Sequence, residues 1–225
     1  MSSGDAALIK AVSRHVSRWV GPIALVFHEH KSEIVHVDLH WIASTQDRPF
    51  EVLVTSGMSE RPMATPEGEE VPKYAEVLAI LPAGWPLYGP ALEDKRNYWP
   101  LQMLKDLARF PHLRKTWLGC GHTLADSEGP SPPFAPNTRL NSLILLHPRM
   151  LPERFATLRA PGGREINFLA AIPLYQEELE LKLSEGTAAL VDAMVEHGIT
   201  DCIDPHRTNV ALCNWRDRAR PLHSE

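Results

Sequence analysis

Four side chains that can bind a metal or move a proton lie near one another at the start of the sequence. They are His28, His36, Asp38 and His40. The last three alternate along one apolar segment, so they share a face if that segment is a β-strand. A hairpin with its turn at residues 31–33 places His28 opposite His36. Two imidazoles and a carboxylate can then bind zinc and leave a position open for water, as in a metal-dependent hydrolase.

A simpler interpretation is that these residues are hydrogen-bonded within the fold or exposed to water. A change of strand register, or an inversion of the face, separates the imidazoles and removes the site. We therefore take His28, His36 and Asp38 only as candidate metal ligands. The main expectation is a protein with no metal and no cofactor.

Cys120 and His122 form a second candidate pair, because a thiol beside a base can act as a nucleophile. The two residues are two positions apart, and no third group is evident that would orient the imidazole. An inert, buried cysteine is the expected alternative.

The residues around this pair are also typical of a surface that accepts another chain. Glycines allow a foreign backbone to come close, and tryptophans anchor interfaces. The alternative is that Trp117 belongs to the core and the glycines serve packing. The loop at 56–58 lacks the lysine and glycine spacing of a phosphate-binding loop. The candidate partner-binding residues are Ser56, Gly57, Met58, Trp117, Gly119, Gly121 and His122.

Periodicity predicts the elements that must position these residues. Apolar residues spaced three and four apart predict helices at residues 6–19, 99–110, 173–183 and 187–197. Alternating or continuous apolar runs predict strands at residues 23–30, 34–42, 48–55, 74–81, 117–122, 138–147 and 165–172. Pro100 fits a first helical turn, and Pro111 is expected to end the same helix.

This mixture of elements, without a βαβ rhythm, predicts an α+β protein. No internal repeat and no shift in composition marks a boundary. We therefore expect one domain over residues 1–225, with about the last ten residues as a frayed tail.

Composition restricts the class of function. The 225 residues carry a formal net charge of −5 and no dense run of Lys and Arg, so nucleic acid is not an expected partner. The start of the chain lacks the apolar block of a signal peptide, and no stretch of about 18 apolar residues occurs, so we expect a cytoplasmic protein that does not enter a membrane. The three cysteines form no C-x-x-C pair, which argues against a disulfide framework and a zinc knuckle.

Short strings spread along the chain resemble the Suppressor of fused family, in particular its short single-domain bacterial members. One departure is Cys120, where the bacterial pattern is expected to have a tryptophan. The matching strings are FHE (27–29), His36 with Asp38, TSGMS (55–59), PEG (66–68), YAE (74–76), YWP (98–100), LARFPH (107–112), TWLG (116–119), GHT (121–123), PFA (133–135), NT (137–138), INF (166–168) and IPLYQEE (172–178).

The resemblance implies a mixed, largely antiparallel sheet flanked by helices, like the amino-terminal domain of the animal proteins. Those proteins are cytoplasmic inhibitors that hold a zinc-finger transcription factor through a short peptide, which adds as a β-strand between two domains. The chain resembles only the first of these domains, so the clamp between domains does not transfer. Bacterial members are often taken to be immunity proteins, or antitoxins, that bind a toxin.

We therefore expect a non-enzymatic protein that binds another protein, a toxin or a regulatory protein, and blocks it, with strand addition as one mode. The net negative charge is compatible with a basic toxin. Two alternatives stay open. One is a metal-dependent hydrolase built on the histidine hairpin, and the other is a regulator of a transcription factor by peptide capture.

Overall fold

The computed structural model describes residues 5–29, 34–125 and 131–213. The predicted tail at 214–225 lies outside them. In chain order the helices and strands are α1 (Ala6–Trp19), β1 (Leu25–Phe27), β2 (Asp38–Ile42), β3 (Phe50–Ser56), β4 (Tyr74–Pro82), α2 (Lys95–Arg114), β5 (Thr123–Leu124), β6 (Ser142–Leu146), β7 (Thr157–Ala160), β8 (Arg164–Leu174), α3 (Gln176–Glu185) and α4 (Thr187–Glu196). No helix of these residues is long and apolar enough to cross a membrane.

The strands form one sheet in the order β1-β2-β3-β4-β8-β6-β5, with β7 also paired to β8. Every pair is antiparallel except β4 with β8, which is parallel. The long β8 pairs with β4 and β7 along its first half and with β6 along its second half. The predicted α+β class, with a mixed and largely antiparallel sheet flanked by helices, is confirmed.

Both faces of the sheet are covered, so the chain has two hydrophobic cores. In β4, Val77 packs in the core beneath α2, whereas Leu78 and Ile80 pack in the core beneath α1 and α4. Side chains alternate along a strand, so a strand covered on both faces is apolar at successive positions. This explains why the apolar run at residues 74–81, YAEVLAIL, predicts a strand.

The bounds predicted for α1 are confirmed. Asp5 caps the helix, because its carboxylate accepts from the backbone N–H groups of Ala7 and Leu8, each at 3.1 Å. The apolar stripe of the helix packs against the sheet through Leu8, Val12 and Val16.

The helix α2 is longer than predicted, and Pro111 lies inside it rather than at its end. The helix begins at Lys95, four residues before the expected start at residue 99, and Asp94 caps it. A proline in the last turn removes only one backbone hydrogen bond, and the helix continues to Arg114. Lys115 caps this end, and its N–H donates to the Pro111 carbonyl. The expectation that a proline stops the helix at once was therefore wrong.

Two further predictions need correction. Residues 117–122 form a loop with a turn at residues 120–121 instead of a strand. Thr123–Leu124 pair with β6, and Gly121 and His122 extend this pairing through backbone hydrogen bonds with Leu145 of 2.7 and 2.9 Å. Pro173 belongs to β8, where it pairs with Leu143. At that point β8 has no partner on the β4 side, so the missing N–H of the proline costs no bond there. The helix α3 consequently begins at Gln176.

Candidate functional site

The hairpin residues predicted to bind a metal surround one buried carboxylate. The side chain of Asp38 is 4% exposed. One of its oxygens lies 3.1 Å from His28 Nδ1. The other lies 3.1 Å from His36 Nε2 and accepts from the backbone N–H of Glu29 at 3.2 Å. Neighbouring groups therefore occupy both carboxylate oxygens.

The register that produces this contact differs from the predicted one. Phe27 pairs with Leu39 in the β1–β2 ladder, so His28 follows towards Asp38 and not towards His36. A shift of two residues keeps every side chain on its face, which is why the predicted group still meets. The expected turn at residues 31–33 lies outside the described residues.

The geometry gives the metal hypothesis no support. Within residues 5–29, 34–125 and 131–213, no group of three or more His, Cys, Asp or Glu side chains is arranged to hold a metal ion. His40 is buried away from the group, with its Nε2 2.8 Å from the Ser56 hydroxyl oxygen. Its burial lowers the pKa of the imidazole, which favours the neutral form.

Glu29 ties this end of the sheet to α2. Its carboxylate accepts from the backbone N–H of Val37 at 3.1 Å and forms an ion pair with Arg109. Both side chains are less than one-fifth exposed. The strings FHE and LARFPH of the resemblance meet in this ion pair.

The loop at 56–58 lies inside the protein, which corrects its assignment as a partner contact. Ser56, Gly57 and Met58 are all buried, so a partner cannot touch them in this conformation. Gly57 has a φ of +118°, and a Cβ there would lie 1.7 Å from the carbonyl oxygen of His36. The close backbone approach that glycine permits is therefore made within this chain.

The same loop encloses the fully buried carboxyl group of Glu76. It accepts from the hydroxyl groups of Thr55 at 2.6 Å and Ser59 at 2.5 Å, and from the N–H groups of Gly57 at 2.9 Å and Ser59 at 3.1 Å. Burial raises the pKa of Glu76, against the effect of these four donors. The strings TSGMS and YAE thus form an internal polar network.

The glycine turn before β5 is partly accessible. Trp117 and His122 are half-buried and pack edge to face, with ring centroids 4.3 Å apart. A Cβ on Gly119 would lie 2.6 Å from the Trp117 ring, so this glycine makes room for the chain's own tryptophan. Gly121 adopts a φ of +86° in the turn. Contact of this turn with a partner stays a prediction.

Cys120 lies exposed in this turn, so its expected burial was wrong. The His122 ring packs on Trp117, and the structure gives Cys120 and His122 no hydrogen bond to each other. A thiol nucleophile with His122 as its base has no geometric support here.

Sequence reasoning missed an apolar groove at the β5 end of the sheet. It has a volume of about 880 Å³ and lies between α2, β5 and the segment 131–134. Charged and amide side chains of α2, including Gln102 and Asp106, form part of its rim. The sequence signal for this groove was an apolar stripe on α2 that comprises Trp99, Met103, Leu107 and Phe110, at intervals of four, four and three residues. The apolar walls comprise Trp99, Met103, Leu107, Phe110, Leu124, Phe134 and Leu143.

Two polar atoms of groove-lining residues lack hydrogen-bond partners in the part of the chain that is described. Trp99 is 4% exposed and stacks on Phe134, yet its Nε1–H donates to no acceptor. Asn141 donates through Nδ2 to the Ser131 carbonyl at 3.0 Å, and its Oδ1 accepts nothing. One unused donor and one unused acceptor are what a peptide group can satisfy.

Solved structures with the same fold were found by comparison. A Suppressor of fused homolog from Neisseria gonorrhoeae has a TM-score of 0.62 at 15% identity, over 90% of this chain and 96% of that one. A chain of the Sufu–Fu complex has a TM-score of 0.61 at 13% identity, over 91% of each chain. Drosophila Suppressor of Fused has a TM-score of 0.60 at 14% identity, over 94% of this chain but 53% of that protein.

No curated protein matches the chain at a significant level. The model of the Suppressor of fused protein family matches residues 33–208, which include every described strand except β1 and nearly all the strings of the resemblance. The chain therefore belongs to the Suppressor of fused protein family.

Proposed function

We propose that the chain binds an extended segment of another protein in the groove between α2 and β5, and thereby blocks that protein. The observation that carries the proposal is an open apolar groove beside the last strand of the sheet. Among the described strands, β5 is terminal and pairs only with β6. Backbone groups on the outer edge of a terminal strand can pair with an incoming strand.

The groove favours a segment with apolar side chains at alternate positions. In an added strand every second side chain faces the same way, so alternate residues enter the groove between the aromatic walls. Binding that moves the side chains covering Trp99 Nε1 and Asn141 Oδ1 would give each of these buried atoms a partner in the peptide backbone. A buried polar atom that lacks a partner costs about 1–3 kcal/mol, and binding recovers part of that cost.

Family membership supports the class of function. One of the similar structures is a complex of Sufu with Fu, which is a protein bound to a protein. For this chain we propose a bacterial immunity role: a cytoplasmic, non-enzymatic inhibitor that binds a partner toxin. The net charge of −5 favours a basic toxin surface.

The test is co-purification of the tagged chain from its native cells, with Leu124→Asp compared against Leu183→Asp. Leu124 lines the groove, whereas Leu183 is a 68% exposed leucine of α3 that lies outside it. A charge in the groove should reduce recovery of the co-purified partner at least tenfold, measured by mass spectrometry, and the α3 variant should retain it.

Equal recovery with both variants would place the partner elsewhere and refute the groove. Inhibition is tested separately, by assaying the identified partner alone and in the complex. A partner that keeps full activity in the complex would refute the blocking role.

Metal analysis tests the hydrolase alternative, because a stoichiometric transition metal lost on His36→Ala would favour an enzyme.

A further inference from the structure

A second groove of about 880 Å³ lies on the other face and at the other end of the sheet. It runs between α1 and the first residues of β2, where His28 and His36 hold Asp38. The apolar groove described above contributes no residue to it. The inference drawn from this second groove therefore does not depend on the proposed function.

Three cations of α1 line this groove at a spacing of four residues. Lys10, Arg14 and Arg18 are all exposed. Residues four apart lie on one side of a helix, so the three charges form a stripe about 12 Å long. In the described part of the chain, none of them forms an ion pair with a carboxylate.

Asp38 is the carboxylate among the described residues that line the groove, and it does not neutralise this stripe through direct contact. The oxygens of Asp38 are engaged by two imidazoles and a backbone N–H, and its side chain is 4% exposed. The imidazole of His28 is 68% exposed, so its second nitrogen is accessible from the groove. Among the described residues, the groove thus presents three cations without a carboxylate partner, of which Arg18 also lies over the ring of Trp19, and an accessible imidazole, on a chain whose net charge is −5.

We propose that this groove binds a short carboxylate-rich segment of a partner protein. A local positive stripe on an acidic protein selects a ligand whose negative charge is confined to the groove. A nucleic acid fits less well, because its phosphates continue past the groove and meet the acidic remainder of the surface. The described residues that line the groove include no Phe, Tyr or Trp on which a base could stack.

The probe is a fluorescein-labelled hexaglutamate peptide, with binding to the full chain followed by fluorescence anisotropy at low salt. The test variant is Lys10→Glu with Arg14→Glu, and Lys73→Glu is the control. Lys73 is exposed and lies outside the groove. We expect the double variant to weaken binding roughly tenfold or more, and the control less than about twofold.

Equal weakening by the control would show attraction by net charge alone and would refute the site. Absence of hexaglutamate binding by the unmodified chain at low salt would refute it as well. A labelled single-stranded oligonucleotide is titrated in parallel, and tighter binding of that probe, lost in the double variant, would overturn the choice of a protein segment. Circular dichroism checks the fold, and Lys10→Gln with Arg14→Gln replaces the reversal if the reversed protein unfolds.

Discussion

The two ends of the sheet use polar groups in opposite ways. At the β1–β2 end, the carboxylates of Asp38 and Glu29 are surrounded by imidazole, guanidinium and backbone donors. At the β5 end, the groove is walled by aromatic and aliphatic side chains, and Trp99 Nε1 and Asn141 Oδ1 have no partner among the described residues.

The difference separates residues that maintain the fold from residues that are available to a ligand. Polar atoms that are already paired gain little from a ligand, whereas apolar walls that face an open groove are removed from water when a ligand binds. The strings that identify the family lie mostly in the first class, as Glu76 and Glu29 show. Three of the strings, YWP, LARFPH and PFA, fall partly in the second class, because they supply Trp99, Phe110 and Phe134 to the groove at β5.

The largest expected effect is at Gly57, where the loop passes the hairpin. Gly57→Ala places a Cβ 1.7 Å from the His36 carbonyl oxygen at a φ of +118°, so we expect a loss of about 3–4 kcal/mol in the free energy of unfolding. Gly68→Ala is the control, because its φ is +81° and a Cβ there meets nothing within 4 Å. The control should lose only about 1–2 kcal/mol in urea denaturation. Similar losses in both variants would show that backbone conformation, and not the contact with His36, is decisive.

The next effect concerns the buried carboxylate at the hairpin end. Asp38→Asn replaces an acceptor oxygen by an NH₂ group that faces other donors, so we expect a loss of about 2 kcal/mol in unfolding free energy. Asp106→Asn, at the exposed rim of the apolar groove, should cost less than about 0.5 kcal/mol. Equal stability of the two variants would contradict the contrast between the ends of the sheet.

A smaller effect measures the link between the hairpin and α2. A double-mutant cycle of Glu29→Gln and Arg109→Met should give a coupling energy of about 1 kcal/mol, because the ion pair is mostly shielded from water. The cycle is measured by thermal and urea unfolding. A coupling energy near zero would mean that the pair contributes nothing to holding α2 on the sheet.

The smallest effect is a pH dependence on the α1 face. His15 packs against both Phe155 and Phe168, which also contact each other, and burial lowers the pKa of its imidazole below 6.5. The unfolded chain therefore binds a proton that the folded chain does not, so this residue makes stability fall as the pH drops below about 6.5.

From pH 6.5 to 6.0 the contribution of His15 is less than about 0.7 kcal/mol. Between pH 6.5 and 6.0, the melting temperature of the His15→Gln variant should fall less than that of the unmodified chain. His40 and His112, whose pKa values are also lowered by burial, remain in both proteins. Identical slopes would contradict the prediction for His15.

Local patterns predicted elements whose signals lie within a few residues. The helix α1 has a cap and one apolar stripe in sequence, and β4 has a continuous apolar run, so both were placed correctly. The end of α2 depended on whether one missing hydrogen bond outweighs tertiary packing, which Pro111 alone does not reveal. The short β7, with no strong periodicity, was missed.

The candidate functional site also has features that the sequence predicted and features that it did not. The sequence by itself determined that His36 and Asp38 share a face, because side chains alternate along one extended segment, and its strings identified the family. Only the tertiary structure decided that the imidazoles hold a carboxylate, that the loop at 56–58 is buried, and that α2 and β5 enclose a groove. The physical reason is that register, burial and grooves arise from contacts between segments far apart in the chain, which no local pattern contains.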